Sequence, residues 1–194
     1  MDYQKEIYNR VDILQDVNNT KIKQMEQIAE ILTNTLKNGN KILTAGNGGS
    51  AANAQHITGD VVGRYKIERE AFAGVTLSVD PSVMTATGND YGYEEVFARQ
   101  VEGIGNKGDV FIIMSSSAGS ANLLQALKKA KEMDIYTVAV LGNNGGLLKE
   151  WIDQCIDFPF KDSDLVEEIA MSIFHMILTQ VEENLVNNKS VLQD

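Results

Sequence analysis

DVFIIMSSSAGSANLLQALKKAKEMDIYTVAVL, residues 109–141, is the stretch that decides the fold. It opens on an apolar run, DVFIIM (109–114), and crosses a serine-rich loop. It then keeps helical length and spacing over 120–133 and ends in a second apolar run, YTVAVL (136–141). Strands that are apolar along their whole length are buried on both faces, the condition of a parallel sheet covered by helices. The same alternation extends outward. KILTAG (41–46) and GVTLSV (74–79) precede the unit, and a weaker run, CIDFPF (155–160), follows it. The segments 50–62, 93–103 and 145–152 read as helices between these strands, and 163–187 as a long amphipathic helix. Alternating β and α elements predict an α/β chain: a three-layer αβα sandwich around a five-stranded parallel sheet.

Two helices are expected ahead of the first strand. Ile7, Val11 and Leu14 fall at helical spacing, and Ile22, Met25, Ile28, Ile31, Leu32 and Leu36 form a broader stripe that Asn38 and Gly39 terminate. Such a pair serves as a cap, as an interface or as cover for the sheet. With two prolines and no internal repeat, the reading is one compact domain over 1–194, with N-terminal helices in 1–40 and an α/β core over 41–187.

Composition narrows the functional classes. The 194 residues are 43% hydrophobic, enough for a sizeable core without staples. The one cysteine, Cys155, excludes an internal disulfide and fits a reducing compartment. A formal charge of −10 argues against a nucleic-acid surface, and an anionic substrate must be held by local donors. No apolar run approaches the roughly 20 residues of a membrane span, and no basic segment leads into one at the start. A cytoplasmic protein without a signal peptide is expected.

In a parallel α/β sheet, ligands collect at the carboxyl ends of the strands. Three segments there stand out. Gly46-Asn47-Gly48-Gly49-Ser50 joins a strand to a helix; it is either a tight turn or a place where backbone approaches a ligand, with Ser50 capping the helix and touching that ligand. It lacks both the G-x-G-x-x-G spacing and a Walker lysine, so no nucleotide cofactor is expected. Ser115-Ser116-Ser117-Ala118-Gly119-Ser120 sets four hydroxyls at a helix entrance, an arrangement suited to a phosphate monoester as well as to capping. Thr87-Gly88-Asn89-Asp90-Tyr91 offers Asn89 and Asp90 to sugar hydroxyls, or is ordinary turn chemistry.

The chain has two histidines. His56 and Asp60 sit four residues apart on one expected helix, hence on one face. His175 follows Glu167 by eight residues and Glu168 by seven, and spacing brings Glu168 nearer its face. These groups suit a divalent metal, an acid–base pair, or merely solvated side chains.

Taken together, GNGGSAANAQH (46–56), GRY (63–65), VMTATGNDYGYEEVFARQVE (83–102), KGDV (107–110) and SSSAGSANL (115–123) resemble the phosphoheptose isomerase family of the sugar isomerase (SIS) superfamily, in order, from about residue 20 to residue 187. The resemblance implies the flavodoxin-like SIS fold and a homotetramer with active sites at subunit interfaces. It implies isomerisation of sedoheptulose 7-phosphate to D-glycero-D-manno-heptose 7-phosphate, feeding lipopolysaccharide or capsule synthesis. By position, Ser115, Ser116, Ser117 and Ser120 would hold the phosphate, and Asn47, Gly48, Gly49, Ser50, Asn89, Asp90 and Glu167 would contact the substrate. Asp60 and His175 would be catalytic, and His56, Asp60, Glu167 and His175 would bind one zinc per subunit.

The chain also departs from the family. Asp60 replaces a glutamate, which retracts the carboxylate by one methylene; Glu167 replaces a glutamine; and Ala118 and Gly119 replace a glycine and an asparagine in the serine loop. A misplacement of about 1 Å can cost on the order of a hundredfold in rate. The resemblance therefore leaves two other outcomes: an isomerase of a different sugar phosphate, or a non-catalytic regulator like the replication-initiation factor of this superfamily that binds an initiator protein.

Overall fold

The computed structural model describes residues 2–190; Met1 and 191–194, which the expected domain also spans, lie outside the described residues. Five strands form one parallel sheet: β1 (Ile42–Ala45), β2 (Gly74–Thr76), β3 (Val110–Ser115), β4 (Tyr136–Leu141) and β5 (Gln154–Asp157), in the order β2-β1-β3-β4-β5. This is the flavodoxin-like order, whose direction reverses between β1 and β3.

Strand periodicity separates the two faces. Ile42, Val110, Ile112, Met114, Val138, Val140 and Ile156 pack on one side against α2 (Ile22–Lys37), α3 (Gly49–Val62) and α7 (Ser163–Ser190). Leu43, Ala45, Phe111, Ile113, Ala139 and Leu141 face the other side, under α5 (Ala98–Ile104) and α6 (Ala121–Glu132). The sandwich and its two leading helices are as expected, and Gly39 ends α2 at φ +77°.

Four details differ from the sequence reading. In α1 (Tyr3–Thr20) the buried residues are Ile13 and Val17, whereas Ile7, Val11 and Leu14 are exposed. Residues 81–90, the end of which was expected as a loop, form a helix, α4 (Pro81–Asp90). Asp80 caps it by accepting from the Ser82 and Val83 N–H groups, with Pro81 in the first turn, where a missing N–H costs nothing. The expected helix over 93–103 splits into a 3-10 turn, Tyr93–Glu95, and α5. The expected helix over 145–152 is absent: only 3-10 turns form at Asn143–Gly145 and Lys149–Trp151. Asn143, Asn144, Gly145 and Gly146 all have positive φ, which no right-handed helix accommodates.

Candidate active site

The loops after β1 and β3 leave neighbouring strands where the strand order reverses, so they open on a shared crevice. A pocket of about 350 Å³ lies there, lined by the Asn47–Ser50 backbone turn, Met114, the serines of the β3 loop, Ser163 and Glu167. No lysine or arginine lines it. Binding capacity comes from hydroxyls, backbone N–H groups and the first turns of α3 and α6.

The serines are not equivalent. Ser115, buried at the end of β3, accepts from the Ala118 N–H and so holds the loop itself together. Ala118 sits at φ +49°, an uncommon conformation for a residue with a Cβ, and its carbonyl accepts from Leu147 N–H. Ser120 is the N-cap of α6, yet its hydroxyl makes no cap bond. Asn122 bonds the Leu123 N–H instead, and its amide also pairs reciprocally with Asn47, both bonds at 2.9 Å. Sequence reasoning missed Asn122, although it stands two residues past the serine loop at 3% exposure.

On the other side of the pocket, Gly48 turns the chain at φ +57° and is itself the N-cap of α3. Ser50 lies within the helix, so it does not cap it as expected. A Cβ on Gly49 would overlap the Glu167 carboxylate, which folds over this helix start. A carboxylate there is favoured by the helix dipole.

α3 and α7 run side by side away from the pocket. The Asn53 amide donates to the Glu167 carbonyl at 2.9 Å, and further along, His56, Asp60 and His175 converge. The His56 and His175 Nε2 atoms lie 3.4 Å apart. They stand 3.7 Å and 3.6 Å from Asp60 Oδ2. That oxygen is buried and has no hydrogen-bond partner. Tyr65 stacks on the His175 ring at 5.7 Å and its hydroxyl donates to the His175 carbonyl.

These three groups meet a simple metal-fit test. A tetrahedral zinc bound at about 2.0–2.1 Å holds its ligand atoms roughly 3.3–3.4 Å apart. The three observed separations are close to that, and the orphaned carboxylate oxygen is the atom a cation would satisfy. Glu167, expected as a fourth ligand, does not stand with these three in this chain. Its carboxylate lies over Gly49 rather than in this cluster, because eight residues of helix carry His175 roughly 12 Å further along α7. Glu168 does not join either: it accepts from Arg10 of α1 at 2.6 Å.

Asn89 and Asp90, expected to contact the substrate, lie apart from the serine pocket within this chain. They end α4, exposed and bonded to each other at 2.7 Å, and do not line the serine pocket.

Behind the cluster, a second group missed from sequence ties the segment after α3 to α7. Glu182, 2% exposed, accepts from the Lys66 and Ile67 N–H groups and from Arg69. Arg69 also donates to the Asp60 carbonyl at 2.8 Å. Burial alone would raise the Glu182 carboxyl, but these donors outweigh it and hold it below the usual carboxylate range.

Residues 3–142 match the family described as SIS domain. The chain is 45% identical over 161 residues to a phosphoheptose isomerase of Akkermansia muciniphila, covering 83% of this chain and 85% of that one. Its structure resembles that of the phosphoheptose isomerase GmhA from Neisseria gonorrhoeae with a TM-score of 0.85 at 32% identity, over 92% of this chain and 97% of that one. A phosphoheptose isomerase from Francisella tularensis is similar with a TM-score of 0.88 at 27% identity, over 94% and 100% of the two chains.

Proposed function

This chain belongs to the SIS domain family, among the phosphoheptose isomerases, and we propose that it interconverts sedoheptulose 7-phosphate and D-glycero-D-manno-heptose 7-phosphate. We read residues 1–194 as one such domain. The observation that carries the reading is the convergence of His56, Asp60 and His175 along the same helix pair that borders the serine pocket. From Ser50 at the pocket to His56 and Asp60 is six and ten residues of α3, roughly 9–15 Å. An extended seven-carbon chain, with its phosphate on C7 and its reacting carbons at C1 and C2, spans roughly 8–10 Å.

The chemistry is an internal proton transfer. The serine loop holds the phosphate by neutral donors and fixes the far end of the chain. Asp60 takes a proton from C1 of the ketose, leaving an enediol, and returns a proton to C2. His175 moves the hydroxyl proton from O1 to O2, so the product has the formula of the substrate. A zinc ion at His56, Asp60 and His175 would supply Lewis-acid polarisation of the carbonyl and of the enediolate oxygens. The Asp60 oxygen that binds a cation is not free as a base, so zinc dependence of the rate separates the two roles.

The same reading extends to the assembly and the cell. A homotetramer is supported by the exposed apolar face of α1 (Tyr3, Ile7 and Val11) and by the position of Asn89 and Asp90, which a second copy would have to bring to the pocket. No helix among the described residues is long and apolar enough to cross a membrane. We place the enzyme in the cytoplasm, supplying heptose for lipopolysaccharide or capsule, with neither nucleic acid nor a nucleotide cofactor as partner. The test is turnover: conversion of sedoheptulose 7-phosphate, lost in Asp60→Asn and His175→Ala, supports the isomerase. Binding of the sugar phosphate without turnover, with capture of a protein partner, moves the assignment to a regulator.

A further inference from the structure

An N-cap serine ordinarily turns its hydroxyl back to accept from the N–H two or three residues on. In α6 that third position is Leu123, and its N–H is already bonded to Asn122 Oδ1 at 2.9 Å. The Ser120 hydroxyl makes no cap bond and stands at the pocket wall. Asn122 also ties α6 to the opposite loop. Its Nδ2 donates to Asn47 Oδ1 and its Oδ1 accepts from Asn47 Nδ2, each at 2.9 Å. Asn122 is 3% exposed, so it touches protein rather than ligand. The Asn47 amide is likewise engaged in this pair.

We infer that Asn122 is a positioning residue for phosphate binding: it takes over the capping of α6, which frees the Ser120 hydroxyl for the ligand, and it fixes the spacing between the glycine and serine loops. The inference rests on reading the serine loop as the phosphate site. It assigns Asn122 no contact with substrate, and it gives the two loops one shared hinge point instead of two independent turns.

The test is a double-mutant cycle on Ser120 and Asn122 in the full chain, read by calorimetric binding of inorganic phosphate and by KM and kcat for the sugar phosphate. Hydrogen bonds to charged groups are worth enough to shift affinity on the order of tenfold. Ser120→Ala should weaken phosphate binding about that much in the wild-type background. Asn122→Ala should do the same, raising KM while kcat stays within about twofold. In the Asn122→Ala background Ser120 turns back to cap Leu123, so Ser120→Ala should then cost little. This non-additivity is what simple loosening of the structure would not produce. Independent, additive losses, or a fall in kcat with phosphate affinity unchanged, overturn the inference. If Ser120→Ala leaves wild-type phosphate binding unchanged, the phosphate-site reading falls with it; if only Asn122→Ala is silent, that reading stands and the positioning role alone falls. Should Asn122→Ala fail to fold, Asn47→Ala removes the amide pair and keeps the Leu123 cap. It should weaken phosphate binding while Ser120→Ala remains costly, and unchanged phosphate binding in Asn47→Ala refutes the shared hinge.

Discussion

The two ends of the α3–α7 pair are built by opposite means. At the end beside the β1 and β3 loops, the pocket is made of backbone turns, hydroxyls and helix starts, with Glu167 as its one charged lining residue. At the other end, His56, Asp60 and His175 meet as side chains alone, with one buried carboxylate oxygen that has no hydrogen-bond partner. A site made of neutral donors can be complete on folding. A site made of an unpaired carboxylate and two imidazoles is finished only by a proton, a cation or a substrate. The difference matches the proposed division, in which the first end holds the substrate and the second reacts.

Substitutions at the two ends should therefore fail in different ways. Asp60→Asn and His175→Ala should each lower kcat by about 10²–10⁴ while phosphate binding measured by calorimetry survives. Equal losses of binding and rate would erase the division between the ends.

Next in size is the support behind the reacting end. Arg69→Ala takes the ion-pair partner from the buried Glu182, which keeps only the Lys66 and Ile67 N–H groups, and should cost about 3 kcal/mol in urea unfolding. The Glu182 carboxyl is held below its ordinary value of 4.5, so its contribution is complete above that pH. It is lost as pH falls through the lower folded value. Acid should thus destabilise the wild type more steeply than Glu182→Gln, as unfolding series at neutral and acid pH would show; parallel series would contradict it.

A smaller effect tests the misfit charge at the holding end. Glu167→Gln removes a negative charge from the pocket proposed to hold the phosphate, and should tighten inorganic phosphate binding by about threefold to tenfold. Zinc affinity should stay unchanged, because Glu167 stands outside the three-residue cluster. Weakened zinc binding in Glu167→Gln would return it to the ligand set.

The smallest effect is expected away from both ends. Burial in an apolar setting, with Asp157 nearby, pushes the Cys155 thiol up to about 12. It should resist alkylation at pH 8, and Cys155→Ala should leave turnover unchanged. Rapid loss of activity on alkylation would contradict this.

Legibility followed the same division. Apolar runs such as 110–114 and 136–141 report burial on both faces, and glycine and serine loops report backbone geometry, because both are local properties. The helix at Pro81–Asp90 carried a local signal, Asp80 before Pro81, that the Gly-Asn-Asp run obscured. The helix expected over 145–152 failed because apolar spacing says nothing about positive φ at Gly145 and Gly146, which open that span. On α1, Ile7, Val11 and Leu14 compete with Ile13 and Val17 for the core, and spacing alone does not choose between the two faces. The position of Glu167 and the Asn47–Asn122 pair depend on how helices from distant parts of the chain are docked, and no spacing rule contains that.

The most direct measurement is NMR of the purified protein with sedoheptulose 7-phosphate, with zinc and after its removal by chelation, following ketose loss and exchange of the C1 and C2 protons with solvent. The account predicts conversion accompanied by exchange, abolished in Asp60→Asn. Protein that binds the sugar phosphate but shows neither exchange nor conversion under either condition would contradict it.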